Sequence, residues 1–274
     1  MKSTISVIIP FYRRQGAFGE TLESVFQQTL QPAEIIVVDD ASGGDAGEFL
    51  NQFVPSIKLI TLEQNVGVSE ARNIGVRAAT GDYIAFLDSD DLWERDKLAR
   101  QLDYILSHSD CDALHTGTKL CFPDGTERIY GNKPVRLQKS DLIGFSHLTC
   151  QSLIMRRADF LRLGGFDRSF RQTEDYEFSL RMVTNGLHVD FIPDLLVKIN
   201  RGNTDHLSSS WWGFISGHIR VVWKYARVYQ EVEGLYAPIK HTGTYLIKGG
   251  YKCGGIPGSL ITLLGRCLNP RYKI

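Results

Sequence analysis

The most chemically informative stretch of the chain is an acidic run, Asp88-Ser89-Asp90-Asp91, that follows an apolar segment. Alternate residues of an extended segment point the same way, so Asp88 and Asp90 can face one site. Closely spaced carboxylates repel one another unless a cation lies among them. Mg²⁺ and Mn²⁺ bind oxygen ligands and commonly bridge to a substrate diphosphate. The alternative is a solvated acidic turn that opens a helix, where Asp91 would favour the helix dipole.

The predicted elements of the first half place this run at the end of a strand. Apolar runs alternate with amphipathic helices, which implies βαβ units and a mostly parallel sheet. The predicted strands are 5–9, 35–38, 57–62 and 83–87, and the predicted helices are 17–28, 69–78 and 93–107. Ligands bind beyond the carboxyl ends of such strands. This rule selects residues 10–12, 39–40 and 88–90.

The second half has a less regular pattern. It predicts a hairpin turn at 122–125, a strand over 150–155, a helix over 175–185 and a short edge strand at 191–193. Helix is predicted from Trp211 to about Val232, followed by a broken segment rich in glycine. A second acidic group, Glu174, Asp175 and Glu177, begins the helix over 175–185. These carboxylates could serve only to favour the helix N-terminus.

Composition and missing motifs exclude several classes of protein. The 274 residues carry no net charge, which is unusual for a general nucleic-acid binder. The sequence has no P-loop, no GxGxxG after the first strand, no GxSxG and no HExxH, so the common ATPase, oxidoreductase and hydrolase classes lose support. The five cysteines form no CxxC pair, and no signal peptide or membrane span is recognisable. We therefore expect a cytoplasmic protein with reduced thiols.

The neutral total hides an uneven distribution of charge. From His218 onward nine basic residues face two acidic ones, so the last 57 residues carry +7. This shift suggests a boundary near residue 210. Aromatic and basic residues mix after it, which suits a membrane interface with anionic lipid. A helical pair packed on the core, with its basic residues in solvent, is the alternative.

Four ordered segments each lie at a strand end or a helix start: 6–12 (SVIIPFY), 35–42 (IIVVDDAS), 65–73 (NVGVSEARN) and 81–91 (GDYIAFLDSDD). Together they resemble the family 2 glycosyltransferases, over about residues 3–210. The resemblance implies an α/β protein of the GT-A fold, with a Rossmann-like, mostly parallel sheet flanked by helices. It implies a catalytic domain over 1–210, divided into a nucleotide-sugar half, about 1–115, and an acceptor half, about 116–210. Residues 211–274 would form a helical C-terminal extension.

The resemblance also implies roles in binding the donor. The residues it assigns to the nucleotide-sugar are Pro10, Tyr12, Asp40, Arg72, Asp88, Ser89 and Glu174. Pro10 and Tyr12 would line the base and ribose, and Asp40 would accept a hydrogen bond from the base ring nitrogen. Arg72 would lie near the phosphates, or else be a solvated helix cation. Asp88 would contact the ribose or the donor sugar.

The metal and the catalytic base follow from the same resemblance. Asp90 would hold Mn²⁺ or Mg²⁺, and His206 would complete the metal or diphosphate site, unless it is an ordinary loop histidine. Asp175 would be the general base and Glu174 a supporting or sugar-binding carboxylate. Glu177 is expected on a solvated face, and Gln151 is a further candidate for the acceptor site.

The implied function is inverting transfer of a sugar from a nucleotide diphosphosugar, UDP- or dTDP-linked, to a saccharide or lipid-linked saccharide. The product would be a surface polysaccharide, such as a lipopolysaccharide or an exopolysaccharide. A sugar nucleotidyltransferase and a non-catalytic nucleotide-sugar-binding scaffold are the alternatives. The expected location is the cytoplasm, with peripheral attachment to the inner face of the membrane through residues 211–274 as one interpretation of the basic tail. No nucleic-acid partner is expected.

Overall fold

The computed structural model describes residues 3–202 and 210–272, which form nine strands and ten α-helices. The strands are β1 (Ile5–Phe11), β2 (Glu34–Asp39), β3 (Lys58–Thr61), β4 (Tyr83–Phe86), β5 (Leu92–Trp93), β6 (Ala113–Cys121), β7 (Glu127–Tyr130), β8 (Ile154–Arg156) and β9 (Val189–Asn200). They form one sheet in the order β3-β2-β1-β4-β8-β6-β9-β5, with β7 paired to β6.

The helices flank this sheet or follow it in the chain. They are α1 (Gln15–Phe26), α2 (Ala46–Asn51), α3 (Val68–Ala78), α4 (Lys97–Ser107), α5 (Arg157–Arg162), α6 (Glu174–Thr184), α7 (Trp211–Lys224), α8 (Ala226–Glu233), α9 (Ala237–Cys253) and α10 (Gly255–Leu268). Short 3₁₀ turns lie at Lys139–Leu142 and Cys150–Ser152.

The strands β3, β2, β1 and β4 are parallel and form one end of the sheet, with β3 at its edge. Alternate side chains of β1 enter different cores: Ile8 packs with Ala71 of α3, whereas Val7 and Ile9 pack with Leu22 of α1. Because helices cover both faces, every residue of β1 is buried and the strand is a continuous apolar run. The α/β class with a sheet flanked by helices is confirmed.

The short edge strand expected at 191–193 is wrong. It is part of β9, a strand of 12 residues that lies between β6 and β5 and runs parallel to β6. The register with β6 shifts around Gly117, where an added Cβ would lie 2.8 Å from the carbonyl oxygen of Pro193. This bulge accommodates the proline within the sheet, and the proline is what made the segment look like an edge.

One helix boundary and one strand also differ from the expectation. Residues 92–93 form β5 and pair with β9, so the helix expected from residue 93 begins at Lys97. Asp91 is therefore not a helix cap. The strand expected over 150–155 is a 3₁₀ turn followed by β8. The expected hairpin is confirmed, with Gly125 at φ 81° between β6 and β7.

The C-terminal extension packs onto the rest of the chain through α7 and α8. Val221 of α7 belongs to the same buried cluster as Tyr176 and Phe178 of α6. The glycine-rich segment that follows is not broken, because it forms α9 and α10, two long helices that pack against each other. No helix in the described part of the chain is long and apolar enough to cross a membrane.

Candidate functional site

The carboxyl ends of β1, β2 and β4 meet at one edge of the sheet. The hydrogen bonds that align them run from Asp40 N to Phe11 O, at 2.9 Å, and from Leu87 N to Ile8 O, at 3.1 Å. Residues 10–12, 39–40 and 88–90 therefore lie along the same edge, as the βαβ pattern predicts. Parallel pairing of these strands is what collects the sequence motifs into one place.

Arg72 joins two of these motifs. Its Nη2 donates to Asp88 Oδ1 at 2.5 Å and its Nη1 donates to Glu174 Oε1 at 3.1 Å. The Arg72 side chain is only 3 % exposed, so it is not the solvated helix cation considered above. Although burial alone would lower the pKa of Arg72, the carboxylates of Asp88 and Glu174 hold it well above its usual range. This guanidinium ties α3, the end of β4 and the start of α6 together.

Gln151 connects the acidic run to the 3₁₀ turn before β8. Its Nε2 donates to Asp88 Oδ2 at 2.5 Å and to Asp91 Oδ2 at 2.9 Å. The other oxygen of Asp91 accepts from Asn200 N at 2.9 Å. The buried carboxylate of Asp91 thus holds the acidic run of residues 88–91 against β9. Burial raises the pKa of Asp91 well above its usual range, and the charges of Asp88 and Asp90 add to that effect.

Asp90 lies at the partly exposed end of the run. Its carboxylate is 3.8 Å from Arg14 Nε, and its backbone oxygen accepts from Asn200 Nδ2 at 2.7 Å. In the described ranges no group of three or more His, Cys, Asp or Glu side chains could hold a metal by itself. A metal bound through one or two carboxylates and a substrate diphosphate needs no such group. Asp90 and the negative charge around it fit a metal of that kind.

Asp175 and Glu174 open α6 with their carboxylates partly buried. Burial raises the pKa of Asp175 to about 6, and the charge of Asp88 adds to this while Arg72 opposes it. Burial likewise raises the pKa of Glu174 to about 7, against the influence of Arg72. A carboxylate with a pKa near neutrality can accept a proton from a hydroxyl group. The structure thus brings the candidate base to the same charged cluster as Asp88.

Asp40 directly follows β2, and its carboxylate is held by the loop that leads to α3. Its Oδ1 accepts from Val66 N at 2.7 Å and its Oδ2 from Gly67 N at 2.9 Å. Gly67 has φ 86°, a conformation that glycine adopts without strain. Each carboxylate oxygen has two lone pairs, so these bonds leave acceptor capacity for a nucleotide base. That role for Asp40 stays a prediction, as do the other donor contacts.

The remaining donor candidates occupy the loops around the same edge. Pro10 and Ser89 are buried, while Tyr12 is 41 % exposed beside the guanidinium of Arg13. Arg13 N donates to Ser42 Oγ at 3.1 Å, which links the loop after β1 to the loop after β2. His206 lies outside the described residues. The last described strand before it, β9, ends at Asn200 beside Asp90.

Several residues that surround Asp175 carry no recognisable signal in the sequence. The ammonium group of Lys133 lies 5.4 Å from the centre of the Phe191 ring, and its charge interacts with that of Asp175. Burial lowers the pKa of Lys133 to about 8. Cys150 is buried, which raises the pKa of its thiol well above the usual range, and Arg72 opposes that shift. These residues come from segments with no recognisable motif, so only the folded chain brings them together.

The expectation that Glu177 lies on a solvated face is wrong. It is fully buried rather than solvated, and it accepts from Arg181 Nη2 at 2.5 Å and from Tyr225 OH at 2.7 Å. Lys224 Nζ lies 2.8 Å from the same carboxylate. Glu177 therefore attaches α6, which carries Asp175, to α7 and the C-terminal extension.

Comparison with protein families identifies the class of this fold and site. The model of the family described as glycosyl transferase family 2 matches residues 6–163, more than half of the chain. The chain therefore belongs to glycosyl transferase family 2. The matched region contains β1 to β8 and every predicted donor residue except Glu174.

Two curated relatives cover most of the chain. TuaG of Bacillus subtilis, a glycosyltransferase assigned to teichuronic acid biosynthesis, is 29% identical over 240 residues, which are 86% of this chain and 90% of TuaG. AmsE of Erwinia amylovora, an amylovoran biosynthesis glycosyltransferase, is 26% identical over 230 residues, 79% of this chain and 83% of AmsE.

A solved structure shows the same fold. TarS 1–349 from S. aureus, in complex with UDP-GlcNAc, superposes with a TM-score of 0.73 at 19% identity. The match covers 96% of this chain and 79% of that one. The GT-A fold expected from the sequence is confirmed.

Proposed function

We propose that the protein is an inverting glycosyltransferase that moves a sugar from a nucleotide diphosphosugar to a saccharide or lipid-linked saccharide. The observation that carries this proposal is the bridge made by Arg72. The bridge holds Asp88, at the end of β4, against Glu174, the neighbour of Asp175. A donor bound at the strand ends would thus have its reacting carbon near the candidate base.

The donor is a UDP- or dTDP-sugar in this proposal. Pro10, Tyr12 and Asp40 lie around the ends of β1 and β2, where the base and ribose would bind. Ser89 and Asp88 would contact the ribose and donor sugar, with Arg72 near the phosphates. TarS of S. aureus has been solved in complex with UDP and with UDP-GlcNAc, which supports this donor class.

A divalent cation, Mn²⁺ or Mg²⁺, completes the donor site in this proposal. Asp90 would hold it together with the donor diphosphate, and His206 would be the further ligand. When bound, the ion would neutralise the charge that builds on the departing diphosphate. The chemistry of the residues fits, because Asp90 supplies a hard oxygen ligand at the partly exposed end of an acidic run.

Asp175 is the general base of the proposed reaction. It removes the proton from the acceptor hydroxyl as the hydroxyl oxygen bonds to the anomeric carbon. The bond from that carbon to the diphosphate oxygen breaks on the opposite side, so the configuration inverts and the nucleoside diphosphate leaves. The proton remains on the Asp175 carboxyl until it passes to solvent. Arg72 and Glu174 orient the cluster throughout.

The acceptor half and the cellular setting complete the proposal. Residues of about 1–115 bind the donor, and about 116–210 supply the base and the acceptor surface. The names of TuaG and AmsE concern teichuronic acid and amylovoran, which supports a role in building a surface polysaccharide. We place the enzyme in the cytoplasm, at the inner face of the membrane, where lipid-linked acceptors are accessible.

A thermal-shift experiment tests the donor site. UDP-, dTDP- and GDP-sugars are added with and without Mn²⁺ or Mg²⁺, because a ligand of the folded state raises the apparent Tm. We expect a metal-dependent rise with a UDP- or dTDP-sugar, and a smaller rise for Asp90→Asn. Asp96→Asn, an exposed aspartate before α4, is the matched control. No rise with any donor from the folded protein would contradict the proposed donor site.

A further inference from the structure

The helical hairpin formed by α9 and α10 is packed in an unusual way. The two helices touch through glycines: a Cβ added to Gly243 would lie 2.7 Å from Gly265 O, and one added to Gly250 would lie 2.6 Å from Gly258 O. The pairing runs in opposite directions along the two helices, so they are antiparallel. Small residues at such a contact allow the two helix backbones to approach closely.

The large apolar side chains of α10 point away from that contact. The only buried residues of α10 are two glycines, Gly258 and Gly265. Four apolar side chains are more than half exposed: Ile256 at 80 %, Leu260 at 63 %, Leu263 at 61 % and Leu264 at 56 %. Their spacing of three and four residues places them along one side of the helix. We call this set the α10 face.

The charge around the α10 face has a single sign. The chain from residue 234 to 272 contains Lys240, Lys248, Lys252, Arg266 and Arg271 and no acidic residue. Arg266 is exposed on α10 itself and Arg271 is exposed just beyond it. Neither arginine forms an ion pair with a residue in the described ranges. Exposed leucines among basic residues are typical of helices that lie in the interface of an anionic membrane.

We propose that the α10 face is the surface that docks onto an anionic lipid bilayer. The helix lies in the plane of the interface, with Leu260 and Leu264 in the acyl boundary and Arg266 among the headgroups. A helix of 14 residues is about 21 Å long, which suits a position along the surface and not across the bilayer. The inference rests on the membrane location proposed above and names the surface responsible.

The charge pattern favours lipid over a second copy of the chain. A symmetric dimer through this face would bring the basic residues of both copies into one interface. Lys240 is paired with Glu233, but no acidic residue between 234 and 272 opposes the other four, so that contact would be repulsive. An anionic bilayer supplies both the apolar layer and the opposite charge.

The α10 face lies on a different helix from the aromatic and basic residues noted in the sequence, of which Trp212 and Trp223 of α7 are 62 % and 54 % exposed. The aromatic and basic residues that begin the extension lie on α7, whose Ile215, Val221 and Val222 are buried against the rest of the chain. Lys224 of the same helix pairs with Glu177 and Asp167. The basic residues of α7 thus partly serve internal packing, whereas the apolar residues of α10 have no such role.

Vesicle co-sedimentation of the full chain tests the proposal. The vesicles are phosphatidylcholine alone and phosphatidylcholine mixed with phosphatidylglycerol. We expect the protein to sediment with the anionic vesicles and to be released by high salt. The double variant Leu260→Ser, Leu264→Ser should lose about tenfold in affinity for them, because two apolar side chains no longer leave water.

The matched control is the double variant Leu106→Ser, Ile129→Ser. It removes two side chains of comparable exposure, 59 % and 62 %, from α4 and β7. Equal binding of both double variants would overturn the proposal, as would no binding of the native chain. A native dimer that is lost only in the α10 variant, with no lipid binding, would assign the face to self-association instead.

The thermal response to nucleotide-sugars separates this inference from the proposed function. The α10 variant should keep the native donor-induced rise in Tm, because its substitutions lie outside the donor site. A chain that binds donor but no vesicle would contradict the docking surface alone. A chain that binds vesicles but no donor would contradict the proposed function alone.

Discussion

Asp175 has a pKa near neutrality because opposing influences act on it. Burial and the charge of Asp88 raise the pKa, the hydrogen bond from Tyr176 N and the charge of Arg72 oppose the rise, and the resulting pKa is about 6. A general base works only in its ionised form, so transfer should fall as the pH falls through about 6. Because the folded-state pKa is raised, ionisation of Asp175 costs stability as the pH rises through that value.

Lys133→Met should shift this pH dependence. The ammonium group of Lys133 interacts favourably with the Asp175 carboxylate, and Lys133 is still charged near pH 6 because its pKa is about 8. Removing the charge should raise the pKa of Asp175 and move the acidic limb of the rate profile to higher pH. The measurement is the rate of nucleoside diphosphate release from pH 5 to 8.

Lys119→Met is the control for that change. Lys119 pairs with Glu127 on the β6–β7 hairpin, and its removal should leave the acidic limb in place. An unchanged limb in Lys133→Met would show that Lys133 does not act on the base.

At the scale of elements, Arg72 connects parts that lie far apart in the sequence. From α3 it binds Asp88 at the end of β4, which is 16 positions away in the sequence. It also binds Glu174 at the start of α6, which is 102 positions away. Nothing in the sequence indicates that Asp88 and Glu174 are the partners of Arg72. The individual motifs were predictable because each follows an apolar strand run or begins a helix, and ligands bind at the carboxyl ends of parallel strands. Their connection was not, because it depends on how the sheet continues through β8 and β6.

Arg72→Met should therefore lower the stability of the whole fold. It leaves Asp88 and Glu174 without their shared partner in a mostly buried place, which costs about 3 kcal/mol of unfolding free energy. Urea unfolding at neutral pH measures the change. Arg77→Met, on the same helix, removes an ion pair with Glu70 whose arginine is 53 % exposed, and should cost less than about 1 kcal/mol. Equal losses in the two variants would contradict a structural role for the Arg72 bridge.

The burial and pairing of each element determine whether it could be predicted from the sequence. The strands β1 and β2 are buried on both faces, so they read as unbroken apolar runs. The strand β9 contains Asp190, Pro193, Asp194 and Lys198, and only its pairing with β6 reveals its length. The helices α9 and α10 were missed because glycine disfavours an isolated helix. Here the glycines are needed for the close contact between the two helices.

At the scale of the molecule, the C-terminal extension is attached to the catalytic part through α7 and α8. Glu177 contacts Lys224 and Tyr225, and the hydroxyl groups of Tyr176 and Tyr229 are 2.6 Å apart. Both Tyr176 and Glu177 follow directly after Asp175. The expected boundary near residue 210 thus marks a change in charge, while the buried contacts continue across it.

Truncation at two positions should show which part of the C-terminal extension is attached through buried contacts. A chain that ends at residue 210 leaves the buried carboxylate of Glu177 without Lys224 and Tyr225, and should lose about 3 kcal/mol or more of unfolding free energy. A chain that ends at Gly254 lacks α10, whose apolar side chains are exposed, and the residues after it, and should be less affected. Urea unfolding of both chains measures the effect. If the chain ending at 210 were as stable as the full chain, the extension would be an independent unit.

The most direct test of the central claim is nucleoside diphosphate release by Asp175→Asn. The donor is the one identified by thermal shift, and the acceptor is a membrane extract from cells that make a surface polysaccharide. Because the asparagine cannot take the proton, we predict a loss of release of about 10²–10⁴-fold with donor affinity retained. Asp167→Asn, which alters an aspartate before α6 that pairs with Lys224, should keep most of the activity. Full release by Asp175→Asn would contradict the assignment of Asp175 as the base.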